Sequence, residues 1–217
     1  MYYDVIKRTV DIFASLVLII LFSPIMLVTA IIIKLTSTGP ALVEKSNSHM
    51  QRIGKNGKIF RLYKFRSMIV GGDVLERTDP KYRIAYIEKH TKGNWKPTND
   101  PRITPIGKFI RKYSIDEMPQ LLNVLKGDMS LIGPRPYLGD ELEEQQGKFP
   151  GTEKYVKEMQ TVKPGITGYW QVSGRSSVNF DKRIEMDAIY ARKKSLLMDL
   201  YIILKTPFIM ISGKNAG

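Results

Sequence analysis

The sequence predicts an α+β protein, predominantly helical, with an N-terminal re-entrant membrane helix, a small β-hairpin and amphipathic interfacial helices. Three observations predict it. Residues 12–33 carry no charged side chain. A Gly54-Lys55-Asn56-Gly57 turn separates two short stretches with β-forming residues. Beyond residue 79, helical patterns alternate with Gly- and Pro-containing loops. We expect two parts, a membrane segment over 1–36 and a single body over 37–217 packed on the membrane interface.

The run 12–33 is long enough to cross a bilayer once. It is too long for a cleaved signal peptide, and no small-residue cleavage site follows. Pro24 sits at its midpoint; it has no N–H to donate and clashes with the preceding turn, so it should kink the helix. Ser23 can bond the carbonyl that Pro24 frees. Lys7 and Arg8 precede the run, and Lys34 and many more basic residues follow it. The preference of basic flanks for the cytoplasmic side keeps both ends together, as a helix bent at its middle would allow. A kinked true span is the competing reading.

In the body, residues 40–45 and 58–64 are the expected hairpin strands. Residues 79–90, 105–112, 116–126, 140–146 and 153–161 should be helical, and 178–195 amphipathic. Residues 91–104, 131–136 and 164–174 read as loops. The stretch 196–211 is strongly apolar, with Leu197, Leu200, Tyr201, Leu204 and Phe208 at helical spacing. Lys205 and Pro207 interrupt it and argue against a second clean span. Core and membrane interface are equal alternatives for it.

Charge narrows the function. Lys and Arg number 34 against 21 Asp and Glu, a net charge of +13, which calls for an anionic partner: nucleic acid, an anionic membrane or a phosphorylated substrate. Without cysteine there are no disulfides or thiolate metal sites. His49 and His90 are too few for a His-rich zinc site, leaving oxygen ligands and Mg²⁺. Ser114-Ile115-Asp116-Glu117-Met118-Pro119 is the densest candidate. Ser114 and Glu117 fit a capping box, and Pro119 favours a slightly later start; both put Asp116 and Glu117 at a helix N-terminus. Acidic residues there complement the helix dipole without any further role. Around them in sequence stand Lys64, Arg66, Arg102, Lys108, Arg111, Lys112, Arg135 between two prolines, and Arg175 after Gly174. Arginines on such restricted loops suit phosphate oxygens. They and Mg²⁺ would offset the repulsion between a carboxylate and a phosphate ester.

These stretches, taken in order, resemble the bacterial sugar transferase family, the monotopic phosphoglycosyl transferases, over nearly the whole chain. The matching segments are Lys7-Arg8-Thr9-Val10-Asp11, Ser23-Pro24, Lys64-Phe65-Arg66-Ser67-Met68 and Asn99-Asp100-Pro101-Arg102-Ile103-Thr104. They continue with Ser114 to Gln120, Leu125 to Ser130 running to Gly133-Pro134-Arg135-Pro136, and Pro164-Gly165-Ile166-Thr167-Gly168 running to Gly174-Arg175. The resemblance implies that Asp116 is a nucleophile toward the β-phosphate of a UDP-sugar, releasing UMP and passing the sugar phosphate to undecaprenyl phosphate. It implies Glu117 as acid/base or metal-supporting partner, Mg²⁺ on Asp116, and Arg111, Arg135 and, less securely, Arg175 at phosphate- or nucleotide-binding positions. It matches Ser23-Pro24 to the family's helix break and places Lys7, Arg8 and Asp11 near lipid headgroups, on the cytoplasmic face of the bacterial inner membrane. The expected partners are a UDP-sugar, undecaprenyl phosphate and membrane lipid, without nucleic acid; a homodimer is allowed. Met118 and Tyr113 depart from the family's usual Leu and Thr or Ser. Residues 69–97, Asp140-Glu141-Leu142-Glu143 and Val178-Asn179-Phe180-Asp181 look more like the branch using UDP-galactose or UDP-glucose. The chain begins at the re-entrant segment, as the family's minimal form does. The alternative is a membrane-tethered nucleic-acid-binding protein, for which the basic charge and Tyr63, Phe65 and Phe109 speak; no recognition motif accompanies them.

Overall fold

The computed structural model describes residues 2–43, 50–83, 100–173 and 178–211. Most of the helix expected over 79–90 and of the loop over 91–104 lies outside these residues, as does Arg175.

Helix α1 (Tyr2–Thr36) runs through Pro24. Without a Pro24 N–H, the Ile20 carbonyl loses its ordinary helical donor, and the Ser23 hydroxyl supplies a replacement at 2.8 Å. Asp11, Ser15, Thr29 and Ile33 are buried along one stripe. Phe13, Ile20, Leu21 and Leu27 between its ends are exposed. The helix is long and apolar enough to cross a membrane, and only 11% of its most apolar window is buried. The core helix of a soluble protein would show the opposite.

Both ends of α1 dock on the body. At the first end, the Arg8 guanidinium donates to the Val124 and Leu125 carbonyls at 2.5 and 2.8 Å. These lie in the last turn of a short helix, Leu121–Lys126, where a cation offsets the helix dipole. Asp11 Oδ1 accepts from the Ser130 hydroxyl and the Leu131 amide, both at 3.0 Å. Lys7 Nζ and Tyr3 OH donate to Asp199 Oδ2 at 2.9 and 3.0 Å. The polar groups that the family resemblance places near lipid headgroups are therefore bonded to the chain's own body. At the other end, Ile33 packs with Phe65 and Ile110, flanked by Met26 and Ala30.

The hairpin forms around the expected turn, from β1 (Gln51–Ile53) and β2 (Ile59–Arg61) in antiparallel register. Its first strand is later than expected. Residues 40–43 instead meet the chain further on, through a Leu42–Phe65 bridge, because residues 64–66 pair there: Val43 N–H donates to Lys64 O and Arg66 N–H to Ala41 O. A short helix α2 (Gly72–Thr78) follows. Helix α3 (Pro105–Lys112) has the expected bounds, with Thr104 Oγ1 accepting from the Gly107 amide and proline in the first turn. Gly107 must lack a side chain: a Cβ there would sit 1.9 Å from the Ser67 carbonyl oxygen. Residues 116–126 split into a 3₁₀ turn (Ile115–Gln120) and α4 (Leu121–Lys126).

Two expected loops contain strands. β3 (Ser130–Ile132) and β4 (Gly165–Thr167) pair in parallel. Their short length and glycines hide any alternation in the sequence. The glycines serve close approach: a Cβ on Gly165 would lie 2.0 Å from Gly133 N. Between them lie α5 (Gly139–Lys148) and α6 (Glu153–Met159); α7 (Tyr169–Ser173) occupies the remainder of the second loop. Helix α8 (Phe180–Lys193) contributes Phe180 and Ile184 to a core with Tyr137, Leu142, Val156 and Met159. Helix α9 (Leu196–Ile211) continues through Pro207. It buries Ile202 in a second core with Ile132, Val162 and Tyr190. Its Leu197 and Phe208 are 80% and 76% exposed, so it is part core and part bare apolar face.

Asp11→Ala removes the acceptor of a buried hydroxyl and a partly buried amide. The expected cost is about 1–3 kcal/mol, read as a lowered Tm in detergent. An unchanged Tm would mean that the other contacts of α1 hold it without the Asp11 bonds.

Candidate active site

Asp116 is brought to the body's interior by two local constraints. Ser114 adopts φ 55°, ψ 22°, a left-handed conformation that costs a non-glycine residue about 1–2 kcal/mol. It does not close the expected capping box: its side chain makes no cap bond. A turn in this hand redirects the chain, and the Asp116 carbonyl then accepts from the Phe65 amide at 2.9 Å. Two separate sequence motifs are thereby joined. Lys64 arrives beside Asp116, with Nζ 2.8 Å from Asp116 Oδ2 and 3.6 Å from Glu117 Oε1.

Asp116 is 2% exposed, whereas the Glu117 side chain is 38% exposed. Burial pushes the Asp116 carboxyl above the usual carboxylate range; Lys64 opposes the shift, Glu117 adds to it and Arg111 opposes it again. Arg111 lies in the last turn of α3, where its charge also reaches Asp100. On the other flank, the charge of Glu117 acts on Arg135 and on Arg52. Arg135 lies in the Gly133-Pro134-Arg135-Pro136 loop just after β3, which the β3–β4 pairing fixes: Gly165 N–H donates to Pro134 O at 2.8 Å. Arg52 was not singled out from the sequence. A lone Arg in an edge strand gives no local signal; the Ile53 amide bonded to Tyr137 O at 3.0 Å brings β1 to the Arg135 loop.

Asp116, Glu117, Lys64, Arg111 and Arg135 are thus gathered, while two other candidates are held elsewhere. Arg66 is buried and donates to the Pro40 and Ser37 carbonyls at 2.6 and 3.2 Å, closing the link after α1. Arg102 clamps Asp100, with Nη2 at 2.6 Å and Nε at 2.8 Å. Burial works against Asp100 ionisation, but the Arg102 bonds prevail and hold that carboxyl low.

Among the described residues there is no cluster of three or more metal-ligating side chains. Mg²⁺ commonly uses only one or two carboxylates, completed by substrate phosphate oxygens and water. Asp116 and Glu117 are adjacent carboxylates already sharing one cation, the Lys64 ammonium, and that donor set suits such an ion.

The chain belongs to the bacterial sugar transferase family, whose profile matches residues 2–213. It is 43% identical to an undecaprenyl-phosphate galactose phosphotransferase of Salmonella typhimurium, over 97% of this chain and 41% of that one. It is 38% identical to a UDP-N-acetylgalactosamine-undecaprenyl-phosphate N-acetylgalactosaminephosphotransferase of Aeromonas hydrophila, over 99% and 45%. It is also 38% identical to the exopolysaccharide production protein ExoY of Sinorhizobium fredii, over 95% and 86%. The chain thus spans under half the length of the first two of these relatives.

The Asp116 shift has a consequence for stability. Its folded pKa is raised, so its contribution is fully present below the unfolded value of about 3.9 and is lost as pH rises through the folded value. Asparagine does not titrate. The stability of Asp116→Asn relative to the parent should therefore grow with pH across that window. Denaturation followed at several pH values checks it, and parallel profiles would contradict the shift.

Proposed function

We propose that this chain transfers a sugar 1-phosphate from a UDP-sugar, with galactose or glucose favoured, to undecaprenyl phosphate. The transfer would be a membrane step of surface glycan synthesis. The observation that carries the reading is a buried carboxylate held between a lysine and a second carboxylate, with arginines on both flanks. An Asp116 oxygen attacks the β-phosphorus, the bond from that phosphorus to the bridging oxygen breaks, and UMP leaves with the electron pair. A lipid phosphate oxygen then attacks the same phosphorus and releases Asp116. Splitting the transfer lets two large substrates use one site in turn. Lys64 favours the ionised, attacking form of Asp116 against the burial that opposes it; Arg111 and Arg135 neutralise donor phosphate charge. Glu117, the more exposed carboxylate, is placed to exchange a proton with substrate or to share a cation. Mg²⁺ on Asp116 and Glu117 would supply further screening of the diphosphate charge.

The membrane reading rests on α1. Its two ends contact one body, at Asp11 and at Ile33, with Pro24 and bare apolar residues between. That supports a helix entering and leaving one leaflet, here the cytoplasmic one, with the exposed face of α9 lying in the same interface.

Wild-type enzyme given UDP-galactose without lipid should release about one UMP per active site, and a peptide containing Asp116 should gain the hexose phosphate mass. Asp116→Asn should give neither. UMP that appears only after lipid is added, with no adduct on rapid quenching, would replace the covalent route with direct transfer.

For topology, single cysteines at the exposed Tyr2 and Thr38 should both react with a membrane-impermeant reagent only from the cytoplasmic side. Labelling from opposite sides would make α1 a true span.

A further inference from the structure

Asp187, on α8, is fully buried and absent from the site described above. Its Oδ2 accepts from the Arg135 backbone amide at 3.2 Å. Pro134 and Pro136 flank that amide and have no N–H, so it is the one donor the backbone of this tripeptide can offer. Asp187 Oδ1 is buried without a hydrogen-bond partner, and so is Arg135 Nε. Burial pushes the Asp187 carboxyl well above the usual carboxylate range, while the bond from the Arg135 amide and the nearby Arg135 charge pull it back. Oδ1 is an unused acceptor, Nε an unused donor, and leaving both buried and unpaired is costly. The far end of the guanidinium is only loosely held. Arg135 Nη2 is 3.9 Å from Glu141 Oε1, too long for a hydrogen bond. The guanidinium carbon lies 5.6 Å from the centre of the Tyr137 ring.

We infer that Asp187 is the positioning residue of Arg135. It fixes the loop through the Arg135 amide and offers Oδ1 to Arg135 Nε–H, which aims the two terminal nitrogens at a donor phosphate. Glu141 is the competing charge that attracts those nitrogens at rest without bonding them. When phosphate draws them from Glu141, the Nε–Oδ1 bond closes and satisfies two orphaned groups at once. The inference rests on the reading that Arg135 contacts the diphosphate.

Steady-state UMP release with UDP-galactose, undecaprenyl phosphate and Mg²⁺ tests it. Asp187→Asn keeps the side chain's size and its bond to the Arg135 amide but replaces the unused acceptor oxygen with an NH₂ group that cannot accept from Arg135 Nε–H. It should raise KM for the UDP-sugar about tenfold, change kcat less, and leave Tm nearly unaltered. Arg135→Lys should raise KM by a similar or larger factor, because lysine has no fork to aim. The double variant should be no worse than Arg135→Lys alone, since both changes disable one device. Glu141→Gln should lower KM about two- to threefold by weakening the competitor. Losses that multiply in the double variant would overturn the inference, and so would an unchanged KM in Asp187→Asn beside a raised KM in Arg135→Lys. If Arg135→Lys has wild-type kinetics, the assignment of Arg135 to phosphate fails and the inference with it, while the Asp116 adduct still stands or falls separately. Should Asp187→Asn not fold, an unchanged KM in Glu141→Gln is the overturning result.

Discussion

A carboxylate cannot be taken out of water without a partner, and this fold is organised around that constraint. Asp11, Asp100, Asp116, Asp187 and Asp199 are all under 9% exposed. Four of them answer the constraint by drawing in a distant segment. Asp11 fastens α1 to β3, Asp116 meets Lys64, Asp187 meets the Arg135 loop, and Asp199 collects Tyr3, Lys7 and Tyr190. Only Asp100 finds its partner two residues away. The solutions differ in quality, and the difference separates structure from chemistry. Asp100 has three close contacts from one arginine and is held ionised. Asp116 has a single partly exposed lysine, a second carboxylate beside it and a raised pKa. An under-satisfied carboxylate with a shifted pKa is a candidate for chemistry; a fully satisfied one is a joint.

The same distinction explains how much was legible in the sequence. The uncharged run, Pro24 with Ser23, the Gly54–Gly57 turn and the bounds of α3 are local patterns, and local physics decided them. The β3–β4 pair was not legible, because three-residue strands are too short to show alternation, and their partner lies over thirty residues away. Residues 40–45 look like a hairpin strand by composition, but the site for that partner was taken by 51–53. At the site, Asp116, Glu117, Lys64 and the Arg135 loop stood out through their motifs. Arg66 and Arg102 stood out equally, yet their guanidinium groups serve the fold. A motif reports that a residue is needed and does not report for what. Arg52 and Asp187 gave no signal, since neither sits in a pattern whose chemistry can be read before the chain is folded.

Tyr3 and Lys7 reach Asp199 across 196 and 192 residues of chain. A ribosome adding about 5 to 20 residues per second delivers Asp199 roughly 10 to 40 s after Tyr3. During that interval the first turns of α1 exist without the carboxylate that will hold them, and the apolar helix must already be sheltered from water. Helix α1 is therefore made well before the α9 carboxylate that fastens its first turns.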